Sequence, residues 1–192
     1  VKSSYYYFVA SLPHLSFSQT KPISYEHFLS LCASFLHAND FDIIKSISLA
    51  AAGGKADSLD SMKKWTAWDR ALRWELGRLR AAKLDRQIAA HENADNSIAS
   101  HAAMVAKEIF ALSAPLDADE QIDRARWEYV ELLEFGRYFD IEWLALYSLK
   151  LHILERRETF DQKAGLQRLH AIMEGARNNY DAKGDPVEAD LG

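Results

Sequence analysis

The sequence predicts an all-α fold, a single irregular bundle of six or seven helices with a short N-terminal arm. Three observations carry this. Apolar residues recur in steps of three and four along most of the chain, which is helical spacing. Only four Pro and eight Gly punctuate 192 residues, too few for a loop-rich β protein. The one β-prone run, Tyr5 to Leu12, has no second strand to pair with, and an isolated strand is not stable. That run is therefore expected as an arm on the helices, extended by its β-propensity or made helical by packing, with the extended form favoured.

After a loop from Pro13 to Ile23, Ser24 sits at an N-cap position and Glu26 in the first turn, where an anion suits the helix dipole. Phe28, Leu31, Cys32, Phe35 and Leu36 follow as one apolar face. Asn39-Asp40 breaks this helix and caps a shorter segment through Phe41, Ile44 and Ile47. Gly53-Gly54 ends that segment, and residues 53–58 read as a mobile connection.

A long helix should run from Leu59 into the low 90s, with Trp65, Trp68, Leu72, Leu76 and Leu79 as its seam. The stretch His91 to Asn96 loses periodicity and reads as a turn. Ser97 opens the next helix, with Ile98, Ala102, Val105, Ile109 and Leu112 on one face and Pro115 as its stop. Asp117 and Glu120 match a capping box for the helix carrying Ile122, Ala125, Tyr129 and Leu132. Near Gly136 to Asp140 that helix ends, and Asp140 can cap the very apolar helix Ile141 to Glu158. A last helix is expected over Asp161 to Tyr180 on Leu166, Leu169, Met173 and Ala176. One domain thus covers residues 1–180, and the polar segment 181–192 is expected to fray.

Most chemistries find no support. A single Cys makes neither an internal disulfide nor a Cys-based zinc site, and Cys32 on an apolar face reads as a small hydrophobe. No Glu is followed by His three positions on, as a helical carboxylate metal site requires, so Glu131-x-x-Glu134 reads as a solvated stripe. His91-Glu92 lacks the second His of a zincin, and Gly53-Gly54-Lys55 lacks the phosphate-loop spacing. His152, inside the apolar helix, reads as a packed and hydrogen-bonded core residue. No catalytic residue, cofactor or metal is assigned. No apolar run is long enough to span a membrane, and the N-terminus has no signal-peptide character, which makes the cytoplasm the expected compartment.

Charge segregation is what remains. Residues 60–86 carry eight basic residues against four acidic, whereas residues 115–160 carry six basic against eleven acidic. One reading makes both sets solvated or mutually paired, each surface pair contributing at most about 1 kcal/mol. The other makes the basic helix a docking face for an acidic partner helix or a lipid headgroup, through Lys63, Lys64, Arg70, Arg73, Arg78 and Arg80. Nucleic acid fits less well, because the net charge is −5 and the two seam tryptophans belong to the core.

Three blocks carry a family resemblance. The opening Tyr5-Tyr6-Tyr7-Phe8-Val9-Ala10-Ser11-Leu12-Pro13 is the most distinctive. With it go Trp65-Thr66-Ala67-Trp68-Asp69-Arg70-Ala71-Leu72-Arg73-Trp74-Glu75-Leu76 with Arg80-Ala81, and Asp140 to Leu151 ending in Glu155-Arg156. Together they resemble an uncharacterised bacterial family, domain-of-unknown-function family 2764, whose genes sit in V-type (A-type-like) ATPase operons. The resemblance implies a non-catalytic accessory or structural subunit of a rotary ATPase, with protein subunits of that complex as partners. It also implies a cytoplasmic location, peripheral to the membrane through the complex. The aromatic-then-Arg-rich helix is similar in character to those of the C (d-type) subunit, a helical socket between central shaft and membrane rotor. In that setting the six cations named above are the docking charges. The alternatives are a free-standing helical interaction adaptor, or a helical enzyme whose site no motif reveals.

Overall fold

The most apolar segment of the sequence is also the most enclosed. In the computed structural model, which describes residues 5–49, 55–86, 96–159 and the single positions 165 and 173, helix α7 (Ile141–Thr159) buries residues on every side. Leu144, Ala145, Leu146, Leu149, Leu151 and Ile153 are fully buried. A helix apolar all round has no solvent face and must be surrounded. Before it in the chain come α1 (Tyr6–Ser11), α2 (Tyr25–Phe35), α3 (Ala38–Lys45), α4 (Asp60–Lys83), α5 (Asn96–Phe110) and α6 (Pro115–Glu134), with a 3-10 turn at Lys55–Ser58. Of these, α2, α4 and α6 meet α7 through Phe28–Tyr147, Ser61–Glu142 and Glu134–Lys150. The fold is all-α, with seven α-helices and no strand among the described residues. The chain divides into two compact units, Val1–Glu155 and Arg156–Gly192, so the last turn of α7 belongs to the second.

Polar side chains on α7 fix its neighbours. Asp140 caps it, accepting the Trp143 backbone N–H at 2.9 Å as the sequence predicts. The Tyr147 hydroxyl donates to the Pro13 carbonyl at 2.9 Å, and burial pushes that phenol's pKa upward. Glu155 accepts the Tyr25 backbone N–H at 2.9 Å, supplementing Ser24, whose hydroxyl accepts from His27 at the start of α2. His152 meets the Ile47 carbonyl at 3.2 Å and packs on Tyr25, and burial lowers its pKa. It is the hydrogen-bonded packing residue the sequence suggests.

The N-terminal run is helical, the second of the two expected forms. Tyr5 decides this: its N–H donates to the Phe139 carbonyl at 2.6 Å and its hydroxyl to Asp40 at 2.5 Å, while Phe8 stacks towards Phe28 and Phe35. Packing of one aromatic face onto α2 outweighs β-propensity where no strand is on offer.

Several boundaries differ from the sequence reading. α3 begins at Ala38, with His37 as N-cap, so Asn39 and Asp40 lie in its first turn. α4 stops at Lys83, where Asp85 turns left-handed (φ 54°), rather than running into the 90s. Pro115 does not merely follow α5. It is the first residue of α6, where a missing N–H costs nothing, and the Asp117–Glu120 capping box is not formed because the helix has already begun. Phe35 and Leu132, expected on apolar faces, are 56% and 64% exposed. The glycine pair at 53–54, the turn at 91–95 and the tail 181–192 lie outside the described residues. Of the last predicted helix only Gly165 and Met173 are described, both helical and Met173 exposed.

Candidate functional site: the outer face of α4

Helix α4 is built to be rigid. Its inner side buries Trp65, Trp68, Leu72 and Leu76 of the predicted seam, with Leu79 half-buried, and Met62, outside that seam, is buried beside them. Trp68 stacks on Tyr129 of α6 with ring centroids 4.3 Å apart, and its indole N–H donates to His101 Nδ1 of α5 at 2.8 Å. His101 therefore presents an unprotonated Nδ1 to the indole. α5 lies closest to α4, and its fully buried Ala102 and Ala106, one turn apart, allow that approach.

The N-terminus of α4 has no capping side chain of its own, because Leu59 occupies the N-cap. Glu142 of α7 supplies one from across the core. Its two carboxylate oxygens accept the backbone N–H groups of Asp60 at 3.1 Å and Ser61 at 2.9 Å, and the Ser61 hydroxyl donates as well. Arg137 stands 3.6 Å away. Burial alone would raise this carboxyl's pKa. The hydrogen bonds from Ser61 and Asp60 outweigh that and hold it below its ordinary value.

A buried ion cluster ties the middle of α4 to α6. Arg126 Nε donates to Asp69 at 2.9 Å and its Nη1 to Asp123 at 3.3 Å. The second oxygen of Asp69 takes Arg73 at 2.7 Å. Lys150 of α7 sits under α6 in the same manner, 2.6 Å from Glu134 and 4.9 Å over the Trp127 ring. Glu134 is thus no solvated stripe, although Glu131, which accepts the Trp127 indole N–H at 2.8 Å, is exposed. Burial pushes the Glu134 pKa above its ordinary value, with the Lys150 hydrogen bond opposing.

The six predicted docking cations lie on the outer side of this helix, five exposed and Arg78 partly covered. Three are engaged within the chain. Lys64 pairs with Asp60 at 2.9 Å, Arg73 with Asp69 and the Leu49 carbonyl, and Arg78 with Glu75 at 2.8 Å and with the Trp74 ring. Lys63, Arg70 and Arg80 form no salt bridge among the described residues. Lys63 and Arg70 are two turns apart, hence on one stripe of the helix. Such a face can attract a carboxylate-bearing surface. No group of three or more His, Cys, Asp or Glu among the described residues could hold a metal ion. Cys32 is fully buried and its thiol is pushed up to about 12 by burial, which leaves little thiolate.

Sequence reasoning did not find Asp69, Arg126, Glu142 and Lys150 as the framework of this face. The signal was present in part: a carboxylate and an ammonium inside an otherwise apolar helix require partners.

A family model described as "Protein of unknown function (DUF2764)" matches residues 83–178, half of the chain. The chain belongs to this DUF2764 family. The match takes in α5, α6 and α7, and with them Arg126, Glu134, Glu142 and Lys150. It starts at the last residue of α4, so the basic face of this DUF2764 protein precedes the matched segment. No curated protein and no solved structure matches the chain. No helix among the described residues is long and apolar enough to cross a membrane.

Proposed function

We propose that this DUF2764 protein is a non-catalytic assembly subunit that docks an acidic protein surface along α4, and that its partners are subunits of a bacterial V-type ATPase. One observation carries the docking reading: Lys63, Arg70 and Arg80 stand outward from a helix braced at its N-terminus and middle, without internal salt bridges among the described residues. Exposed single-sign charge on a rigid support steers association and fixes orientation. The ATPase reading adds the resemblance of the Tyr5–Pro13, Trp65–Ala81 and Asp140–Arg156 blocks to a family encoded in such operons. A socket between shaft and rotor ring fits it, because torque passes through stiff contacts and needs no reacting group.

Co-expression with the central-shaft and rotor subunits, followed by native mass spectrometry over a salt series, tests this. A stoichiometric complex that weakens with salt is expected. No complex at low salt would leave a free-standing interaction adaptor as the better account.

A further inference from the structure

Trp68 of α4 is fully buried, and its indole N–H has one acceptor, His101 Nδ1 of α5, at 2.8 Å. Among the described residues no other hydrogen bond or salt bridge joins α5 to α4. Around this bond α5 buries Ala102, Ala106 and Ile109, which have nothing polar to offer. His101 also packs on Tyr129 of α6, ring centroids 5.8 Å apart, and Tyr129 stacks on Trp68 at 4.3 Å. The three rings form one cluster at which α4, α5 and α6 meet.

The bond exists in one protonation state only. An imidazole nitrogen accepts a hydrogen bond while it is unprotonated, whereas in the imidazolium both nitrogens are donors. A protonated His101 would set one N–H against another. The indole could not turn to water instead, because Trp68 has no exposure, and a buried donor left unsatisfied costs free energy. A solvent proton can reach the ring, since His101 is itself half-buried. Histidine is the side chain that ordinarily changes charge between about pH 8 and pH 5.

No carboxylate among the described residues pairs with this ring. From α4 it meets the Trp68 indole and from α6 the Tyr129 phenol. On α5 the positions three and four away are Ser97, Ile98, Met104 and Val105, none of them charged. The charged side chains within one turn of Trp68 and Tyr129 are engaged elsewhere or turned to solvent. Asp69 is taken by Arg126 and Arg73, Lys64 by Asp60, and Glu128 is exposed.

We propose that the Trp68–His101 hydrogen bond is a proton-operated latch between α5 and α4. With His101 neutral the latch is shut; a proton taken up on Nδ1 removes the acceptor and releases α5. The indole can only donate, which fixes the direction: acid opens the latch and base closes it. The latch lies within the chain and stands whether or not α4 docks a partner.

The test is solvent exchange of the Trp68 indole N–H, followed by NMR on the full chain at about pH 7.5 and about pH 5, either side of the ordinary histidine range. Rates are taken relative to free indole at the same pH, for the wild type and for His101→Asn. The Asn amide oxygen can take the place of Nδ1 and does not titrate. Wild-type protection should fall by at least about tenfold at the lower pH, in step with protonation of the His101 ring and with far-UV circular dichroism unchanged. The variant should be protected equally at both. Equal wild-type protection at the two pH values overturns the latch, and so does a variant that loses protection as the wild type does. If the variant is unprotected at both, the His101 ring nitrogen shifts of the wild type decide. An Nδ1 that is protonated at neutral pH, or indole protection lost out of step with the ring's titration, overturns the latch; an unprotonated Nδ1 titrating in step with the loss upholds it.

Discussion

Glu142 lies on α7, yet its carboxylate closes the N-terminus of α4 by accepting the Ser61 backbone N–H at 2.9 Å. One side chain thus anchors the candidate docking helix to the central helix. Replacing Glu142 by Ala strands two backbone donors and removes a counter-charge from Arg137. We expect a loss of about 2–3 kcal/mol in urea unfolding, with Glu142→Gln intermediate.

The same carboxylate sets a pH dependence. Its folded pKa lies below the ordinary Glu value, because hydrogen bonds to the anion outweigh burial. The folded state then binds fewer protons than the unfolded chain over that window. This contribution to stability is complete above the ordinary Glu pKa and is lost as pH falls through the depressed folded value. Glu134 has the opposite sign, since burial raises it: its contribution declines as pH rises from the ordinary value through the folded one. Carboxyl-carbon NMR titration should place Glu142 below and Glu134 above the free-peptide value; the reverse order contradicts both assignments.

Arg126 is buried between Asp69 and Asp123. Arg126→Met removes a buried cation shared by Asp69 and Asp123 and should cost about 3–5 kcal/mol. Because Arg73 still holds Asp69, the lower end is expected. A double-mutant cycle with Asp69→Leu should show a coupling of at least about 1 kcal/mol.

Cys32 is fully buried, with its thiol pushed up to about 12. The native protein should resist a disulfide reagent at mildly alkaline pH and react only through opening. Labelling should therefore accelerate with urea in step with local or global unfolding. Fast labelling in the absence of denaturant would contradict the burial.

How far the sequence led differs between elements. The seam Trp65, Trp68, Leu72 and Leu76 and the enclosed α7 followed from spacing and apolarity, because burial imposes the helical period. The helical state of Tyr6–Ser11 did not, since a bond from Tyr5 to Phe139, 134 residues away, decides it. Capping told a similar story. Ser24 and Asp140 were legible because each caps the helix directly after it, whereas Glu142 and Glu155 cap helices remote in sequence. On the candidate face, the six cations could be named from composition. Which three pair internally depended on short-range partners such as Asp60 and Glu75 and on the buried Asp69.

Docking of a partner rests on the outer face of α4. Its most direct test is assembly of the chain with co-expressed V-type ATPase shaft and rotor subunits, read by native mass spectrometry at rising salt, for the wild type and for Lys63→Glu/Arg70→Glu/Arg80→Glu. With helicity unchanged, the charge-reversed chain should fail to assemble at salt concentrations where the wild type is fully bound. Equal assembly of the two at low salt would contradict docking through α4.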